Sequence, residues 1–384
     1  MIDNSITATI ISHPTPFTQA HFLSAWSWLC RSRRHYPPNA DIWHLRFHRQ
    51  TEIPALLQAL HLGEYRLSPL HIITKSDGTR QAIWSAKDAL VLKMVTLVLE
   101  TRLPVHPACE HIKGHGGGQQ SVHRLDRMLQ NGGTPFVCRT DIQGYYQHIN
   151  KSRLLRQLEP YLNQAGLFNV VTQFVHYSVE DGGVFHTPTS GISRGSALSP
   201  LLAAFHLYAL DLACSTIPSV KYVRYMDDFL FFTQTRWQLR RIVRRLQQFM
   251  TAWGFRLHPD KTFIGRVAKG FDWMGAWLTH QGITGVAPRA LINHETRCQR
   301  LYERTWHWPK DRQARRVLNY QSLWKRWWVT LSGNLKPSLY ATSHNVTHCY
   351  SCAMDTVSAA FHAPTVPSFT TKVLGLTASA ITPN

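Results

Sequence analysis

Residues 220–232 read Val-Lys-Tyr-Val-Arg-Tyr225-Met226-Asp227-Asp228-Phe-Leu-Phe-Phe, two apolar, β-prone runs with a pair of acids between them. Such a segment folds most simply as a hairpin whose turn projects both carboxylates from the end of a sheet. Two like charges side by side repel, and divalent cations relieve that repulsion; Mg²⁺ in particular prefers carboxylate oxygens. Phe136 to Asp141 is a second β-prone run that ends in an acid. Three carboxylates on adjacent strands of one sheet could hold a two-metal site for phosphoryl transfer. A solvated Asp-Asp turn is common, so the dipeptide alone decides nothing.

Helical spacing dominates on either side. Phe22, Leu23, Trp26 and Leu29, then Leu90, Met94, Leu97 and Val98, mark two helices in the first 135 residues. Between them the Asp77-Gly78 turn separates two short apolar strands, which predicts a hairpin over 70–83. Leu239, Ile242, Val243, Leu246, Phe249 and Met250 form the apolar stripe of an amphipathic helix, with Arg236, Arg240, Arg241, Arg244 and Arg245 mainly off it. From 285 to 332 Leu291, Cys298, Tyr302, Trp306, Tyr320, Trp324 and Trp327 fall at core-facing spacing on two further helices.

Charge narrows the choice of partner. The 384 residues include 42 Lys or Arg against 22 Asp or Glu, a net charge of +20 with all 22 histidines neutral. An excess of that size points to a polyanion, nucleic acid before all else, with a basic surface kept for solubility as the plainer alternative. Seven scattered cysteines make no disulfide framework and fit a reducing cytoplasm. The N-terminal residues lack the basic and apolar regions of a signal peptide, and the most apolar run, Leu198 to Cys214, is broken by His206 and Asp211, so no membrane span is expected. Cys349 and Cys352, with His344 and His348, are too closely spaced for the usual two ligand pairs of a zinc site, and zinc is not expected.

Taken in order, the motifs resemble those of the reverse transcriptases, in particular bacterial ones of the group II intron, retron and defence-associated kind. Tyr225-Met226-Asp227-Asp228 resembles the family's Y-x-D-D box, and Thr140-Asp141-Ile142-Gln-Gly-Tyr-Tyr146 the box before it. Gly191-Ile-Ser-Arg194-Gly195-Ser-Ala-Leu-Ser199-Pro200-Leu-Leu resembles the box between them. Leu257 to Thr262 and Phe271 to Gly275 resemble the last two palm boxes, and Tyr65 to Pro69 with Lys75, Gly78 and Arg80 the fingers segment. Six boxes in order are far more specific than any one of them.

The resemblance implies an α/β (α+β) right-hand polymerase: fingers, an antiparallel-sheet palm that carries the Tyr-Met-Asp-Asp hairpin, and a helical, basic, Trp-rich thumb. Expected boundaries are fingers 1–135, palm 136–280 with an interleaved fingers segment at about 150–190, thumb 285–335 and a C-terminal extension 336–384. It implies that Asp141 and Asp227 bind two Mg²⁺ ions, with Mn²⁺ as a substitute, together with the Ile142 backbone carbonyl. Asp228 is then the weaker ligand, and Lys261 the general acid for pyrophosphate. Lys75, Arg80, Tyr146, Arg194 and Gly195 would bind the incoming dNTP, with Tyr146 under the sugar blocking a 2′-hydroxyl. Trp273, Met274 and Gly275 would grip the primer end. Arg289, Arg297, Arg300, Arg304, Arg315 and Arg316 would hold nucleic acid.

Departures from the family pattern are as informative. Ser193-Arg194 replaces Pro-Gln, and a guanidinium is no substitute for an amide. Lys113 to Gln119 is a glycine-rich stretch, suited either to close approach to a phosphate or template or to a flexible loop. Gln147 stands where intron enzymes commonly have Asp, and the acids after 285 (Glu295, Glu303, Asp311, Asp355) make no nuclease cluster. The expected activity is RNA-directed synthesis of DNA from dNTPs on a DNA or RNA primer. A dedicated structured RNA, a role in anti-phage defence, and a protein partner or oligomer enter by analogy. Alternatives are a DNA polymerase with little or no external template and an RNA-binding, maturase-type platform.

Overall fold

The computed structural model describes residues 16–74 and 78–333. Helix α1 (Gln19–Ser32) opens on a capping box in which the Thr18 hydroxyl accepts from the His21 N–H and the His21 ring accepts from the Thr18 N–H. It packs with α2 (Asp41–Phe47) on α4 (Ala86–Leu99), and α3 (Arg49–His61) packs on α2. Helix α4 is apolar nearly all round because it is buried nearly all round. Between α3 and α4, β1 (Leu70–Thr74) and β2 (Arg80–Ile83) pair antiparallel with Ile72 opposite Ala82, the hairpin expected from Asp77-Gly78.

The glycine-rich stretch is not an open loop. Gly116, left-handed at φ 97°, caps α5 (Gly117–Gln130), so the following glycines form the first turn of a helix. After it come β3 (Phe136–Asp141), α6 (Tyr145–His148), α7 (Lys151–Leu158) and α8 (Ala165–Val175). The hairpin of β4 (Val179–Asp181) and β5 (Val184–His186) then leaves the palm region and joins the first hairpin, β4 running parallel to β1, in a sheet ordered β2-β1-β4-β5.

Helices α9 (Ser199–His206) and α10 (Tyr208–Ser215) lead to β6 (Val220–Tyr225), β7 (Asp228–Thr233) and α11 (Arg236–Trp253), followed by β8 (Phe263–Arg266). Strands β6-β7-β3-β8 form one antiparallel sheet, the palm. Its central strand is apolar on both faces because both are covered. Phe229 and Phe231 lie with Tyr222 on one face, and Phe232 meets Phe271 on the other. Helix α11 covers β7 and β3 with Leu239, Ile242, Leu246 and Met250 and ends at left-handed Gly254. Strands β9 (Phe271–Trp273), β10 (Ala276–Thr279) and β11 (Gly282–Val286) make a separate three-stranded sheet.

The chain parts into two compact units, one running through Leu291 and taking in Thr330–Ser332, the other comprising Ile292–Val329. The second unit is a helix pair drawn from α12 (Pro288–Arg304) and α13 (Lys310–Ser332). Here the expected core face is corrected. Cys298 and Leu301 are buried, whereas Tyr302 is 51% and Trp306 74% exposed. The buried stripe steps from Cys298 by three residues to Leu301, not by four to Tyr302, and α12 ends at Arg304, so Trp306 lies beyond the helix. On α13 Gln313 and Trp328 are buried and Trp327 is 38% exposed, while Tyr320 and Trp324 stack on His294 at 5.3 and 4.0 Å.

Among the described residues no helix is long and apolar enough to cross a membrane, and Cys30, Cys109, Cys138, Cys214 and Cys298 are free thiols. Cys349, Cys352, His344, His348 and the whole extension 336–384 lie outside the described residues.

Candidate active site

The palm register brings the acids together. Asp141 ends β3 directly opposite Asp228, the first residue of β7, and Tyr225 closes the hairpin on the other side of Asp228. Asp141, Asp227 and Asp228 each offer a carboxylate oxygen, all within 4.8 Å of one another. Like charges directly opposite on a sheet are unfavourable, so the arrangement stores repulsion. Burial pushes Asp227 up to about 6, the neighbouring Asp141 carboxylate adds to the rise, and Lys261 opposes it. Burial likewise raises Asp228 to about 6, with Arg139 pulling the other way. Two cations offset the cluster: Lys261 Nζ donates to Asp141, and Arg139 donates to Asp228 at 3.2 Å. Hard oxygen donors, crowded and half-buried, with lysine and arginine holding part of the compensating charge, suit a divalent cation.

The turn that carries Asp227 is locked from behind. Met226 is left-handed, φ 54°, a conformation that a non-glycine residue keeps only when its surroundings hold it. Its N–H donates to His111 Nδ1 at 3.0 Å, while His111 Nε2 faces the Pro200 carbonyl at 3.2 Å. Those partners define the neutral tautomer, and burial, helped by Arg224, lowers the ring to about 4. The Met226 carbonyl accepts from Arg224 Nη1 at 2.9 Å. Arg224 is itself fully buried. It forks onto Asp211, with Nε–Oδ1 at 2.7 Å and Nη2 on Oδ2, and its Nη2 also reaches the Ala204 carbonyl at 3.1 Å. Tyr222 adds a 2.6 Å hydroxyl bond to Asp211. Sequence reasoning missed His111, Arg139 and Arg224 altogether, and noted Asp211 only as a break in an apolar run.

The other expected residues divide into those gathered here and those that are not. Ile142 donates its N–H to the Asp227 carbonyl at 3.2 Å. Tyr146 is buried and close enough to Asp227 for that charge to help raise its hydroxyl to about 12, burial being the main cause. The Arg194 guanidinium lies over the Tyr146 ring, 5.4 Å from its centroid. Gly195, φ 85°, faces the Ala82 carbonyl of β2 across the space of a Cβ, and Trp84 Nε1 bonds Ser193 Oγ at 3.1 Å, so this box abuts the first hairpin. On that hairpin Arg80 pairs with Asp181 on β4, and Lys75 lies outside the described residues.

Trp273 departs from expectation. Its side chain is fully buried and its Nε1 donates to Ser121 at 2.8 Å, so it anchors the turn from beneath. Met274 and Gly275, left-handed at φ 50° and 88°, form the turn itself. A Cβ on Gly118 would stand in ordinary contact, 3.6 Å from both Met274 and Tyr225, so the first turn of α5 borders both turns. Arg289, Arg297, Arg300, Arg304, Arg315 and Arg316 are exposed.

Comparison with known proteins gives the family. Residues 82–278, just over half of the chain, match the family model described as "Reverse transcriptase (RNA-dependent DNA polymerase)". The retron Mx162 reverse transcriptase of Myxococcus xanthus is 27% identical over 240 residues, 57% of this chain and 46% of that protein. The group II intron-encoded protein LtrA of Lactococcus lactis subsp. cremoris is 24% identical over 169 residues, 42% of this chain and 28% of that protein. The chain therefore spans less than half the length of either relative. Among solved structures, telomerase from Candida albicans, in complex with a TWJ fragment of telomeric RNA, aligns at 14% identity and TM-score 0.41, covering 71% of this chain and 51% of that one. Match and motif order together place the chain in the reverse transcriptase (RNA-dependent DNA polymerase) family.

Proposed function

We propose that the chain is an RNA-directed DNA polymerase that makes cDNA by two-metal nucleotidyl transfer. The observation that carries this reading is the Asp141, Asp227 and Asp228 cluster within 4.8 Å, at the strand ends of a palm sheet in a chain of this family. The three carboxylates and the Ile142 carbonyl would hold Mg²⁺ (or Mn²⁺ in its place), which would supply Lewis acidity toward the primer hydroxyl and the leaving pyrophosphate.

The chain's own residues do the rest. Asp228, already bonded to Arg139, is the weaker ligand. Lys261 is held on Asp141, and when that acid is otherwise neutralised it is free to donate a proton to pyrophosphate. Tyr146, neutral and buried beside the acids, blocks the space of a 2′-hydroxyl, with Arg194 braced on its ring and Gly195 behind it. Lys75 and Arg80 bind the triphosphate, Arg80 exchanging Asp181 for phosphate. Met274 and Gly275 hold the primer end, and the exposed arginines of α12 and α13 hold the template–primer. The setting is the cytoplasm, with a dedicated structured RNA as template and, by analogy alone, a role in phage defence.

Purified chain should incorporate dNTPs on poly(rA)/oligo(dT) only with a divalent cation, and Asp227→Ala should incorporate less than a few per cent as much. Residual synthesis well above that level would remove the catalytic assignment. Tyr146→Val in the same assay should raise the ratio of rNTP to dNTP efficiency. Single dNTPs without template test the atypically templated alternative, which requires incorporation in that arm.

A further inference from the structure

Helix α11 carries five arginines in its first ten residues and no acid anywhere in its 18. Arg236, Arg240, Arg241, Arg244 and Arg245 are all exposed, while Leu239, Ile242, Leu246 and Met250 face the palm sheet. Among the described residues none of the five makes an ion pair. Arg236, Arg240 and Arg244 repeat at four-residue spacing, about 6 Å along the axis, as do Arg241 and Arg245 beside them. Like charges at that spacing oppose helix formation, and nothing within the helix offsets them. Trp237 adds a second signal: it is 76% exposed, with the Arg240 guanidinium 5.1 Å from its ring centroid.

The place of these residues sets them apart from the polymerase site. Strand β7 starts at Asp228 and ends at Thr233, so α11 begins about 17 Å of strand away from the acids. Its far end returns toward the site, where Phe255 packs on Tyr145 at 5.3 Å. The arginines occupy the end that is distant from the acids, on the face turned from the sheet. The reaction uses none of them.

We propose that the solvent face of α11, formed by Arg236, Trp237, Arg240, Arg241, Arg244 and Arg245, docks a folded RNA outside the polymerase cleft. The rows of guanidinium groups bind its phosphates, and Trp237 stacks on an unpaired loop base. Loops of folded RNA present such bases, whereas a continuous duplex keeps them stacked and inaccessible. A membrane surface is the weaker match, because the apolar face that would have to insert is buried against β7 and β3. The docking holds whether or not the palm polymerises DNA.

The test uses the full chain and a 3′-phosphorylated RNA stem-loop, which cannot be extended, titrated at several salt concentrations. Arg240→Gln/Arg241→Gln/Arg244→Gln/Arg245→Gln should bind it at least tenfold more weakly, with a salt slope smaller by about three units. Trp237→Ala should lose several-fold for the stem-loop, with an unchanged slope and no loss for a blunt duplex of the same stem. Both variants should extend poly(rA)/oligo(dT) like wild type, which also shows that they fold. If the quadruple variant melts early, Arg240→Gln/Arg244→Gln should show half the slope change. Unchanged affinity and slope overturn the proposal. So does an equal Trp237→Ala effect on blunt duplex, or loss of phosphatidylserine-vesicle binding while RNA binding is retained. Absence of extension by the wild-type chain would overturn the polymerase reading and leave this one standing.

Discussion

Asp227 shows most directly how much the site depends on what binds it. Its carboxyl is raised to about 6, as is that of Asp228, so without metal the folded chain holds protons that the unfolded chain releases above about 4. For groups raised in this way, the stability they contribute is fully present below about pH 4 and is lost as the pH rises through 6. Asp227→Asn removes one charge and one titration. In EDTA it should melt above wild type at pH 7.5, by on the order of a few °C, with the difference closing toward pH 4. Millimolar Mg²⁺ should cancel or reverse the gain, because it stabilises only the intact cluster. Melting curves across pH 4–8, with and without metal, decide it; a variant no more stable than wild type at pH 7.5 in EDTA would mean that the repulsion is not there. The acids themselves are legible in the sequence because chemistry confines them to a short motif between β-prone runs. The cations beside them are not. Arg139 is just one arginine in a strand until the register sets it beside Asp228, and His111 reaches Met226 from 115 positions away.

Elements rather than spacings place the Met226–Asp227 turn. Strand β6 contributes Arg224 and Tyr222, helix α10 contributes Asp211, and the buried fork between them ends on the Met226 carbonyl. Breaking one partner of a buried pair costs about 3–5 kcal/mol, because the other charge is left uncompensated. Arg224→Met should lose stability of that order. Adding Asp211→Asn removes the stranded charge while keeping an acceptor for Tyr222, so part of the stability should return. Incorporation should not return, since no donor is left for the Met226 carbonyl. Urea unfolding read beside nucleotide incorporation separates the two effects; full activity in the double variant would reduce Arg224 to a packing residue. Helix and strand periods make the palm elements legible: α11 buries Leu239, Ile242, Leu246 and Met250 from the predicted stripe, and β3, β6 and β7 fall where the apolar runs are. The pairing of β4 with β1 is not legible, because it joins strands more than a hundred residues apart by backbone bonds that leave no mark on side-chain pattern. Helix α12 fails for a different reason. Three- and four-residue steps are both helical, and only packing chooses Leu301 over Tyr302.

Charge is the property that belongs to the whole molecule. A net +20 is self-repelling, and two groups of arginines concentrate it: the face of α11, a helix that carries no acid, and the helices α12 and α13, where arginines outnumber Glu295, Glu303 and Asp311. If the second group merely solvates helix faces, neutralising two of its members should leave nucleic-acid affinity nearly unchanged. If it grips a template–primer, the salt slope of binding falls by about one unit for every phosphate that is no longer neutralised. The second outcome is the expected one, because Arg289, Arg297, Arg300, Arg304, Arg315 and Arg316 are all open to solvent. Tyr302 and Trp306, expected inside, are exposed, and so are Arg297, Arg300 and Arg304, of which Arg300 and Arg304 share one face of α12 at four-residue spacing. Arg300→Gln with Arg304→Gln, titrated with an RNA–DNA duplex at several salt concentrations, should lower the slope by about two units and weaken binding most at low salt. The stem-loop that probes α11 should bind this variant like wild type, because the residues that hold it lie on the other helix. An unchanged duplex slope with intact melting would place the duplex elsewhere on the molecule, and equal losses for duplex and stem-loop would mean that the two cationic surfaces act as one field.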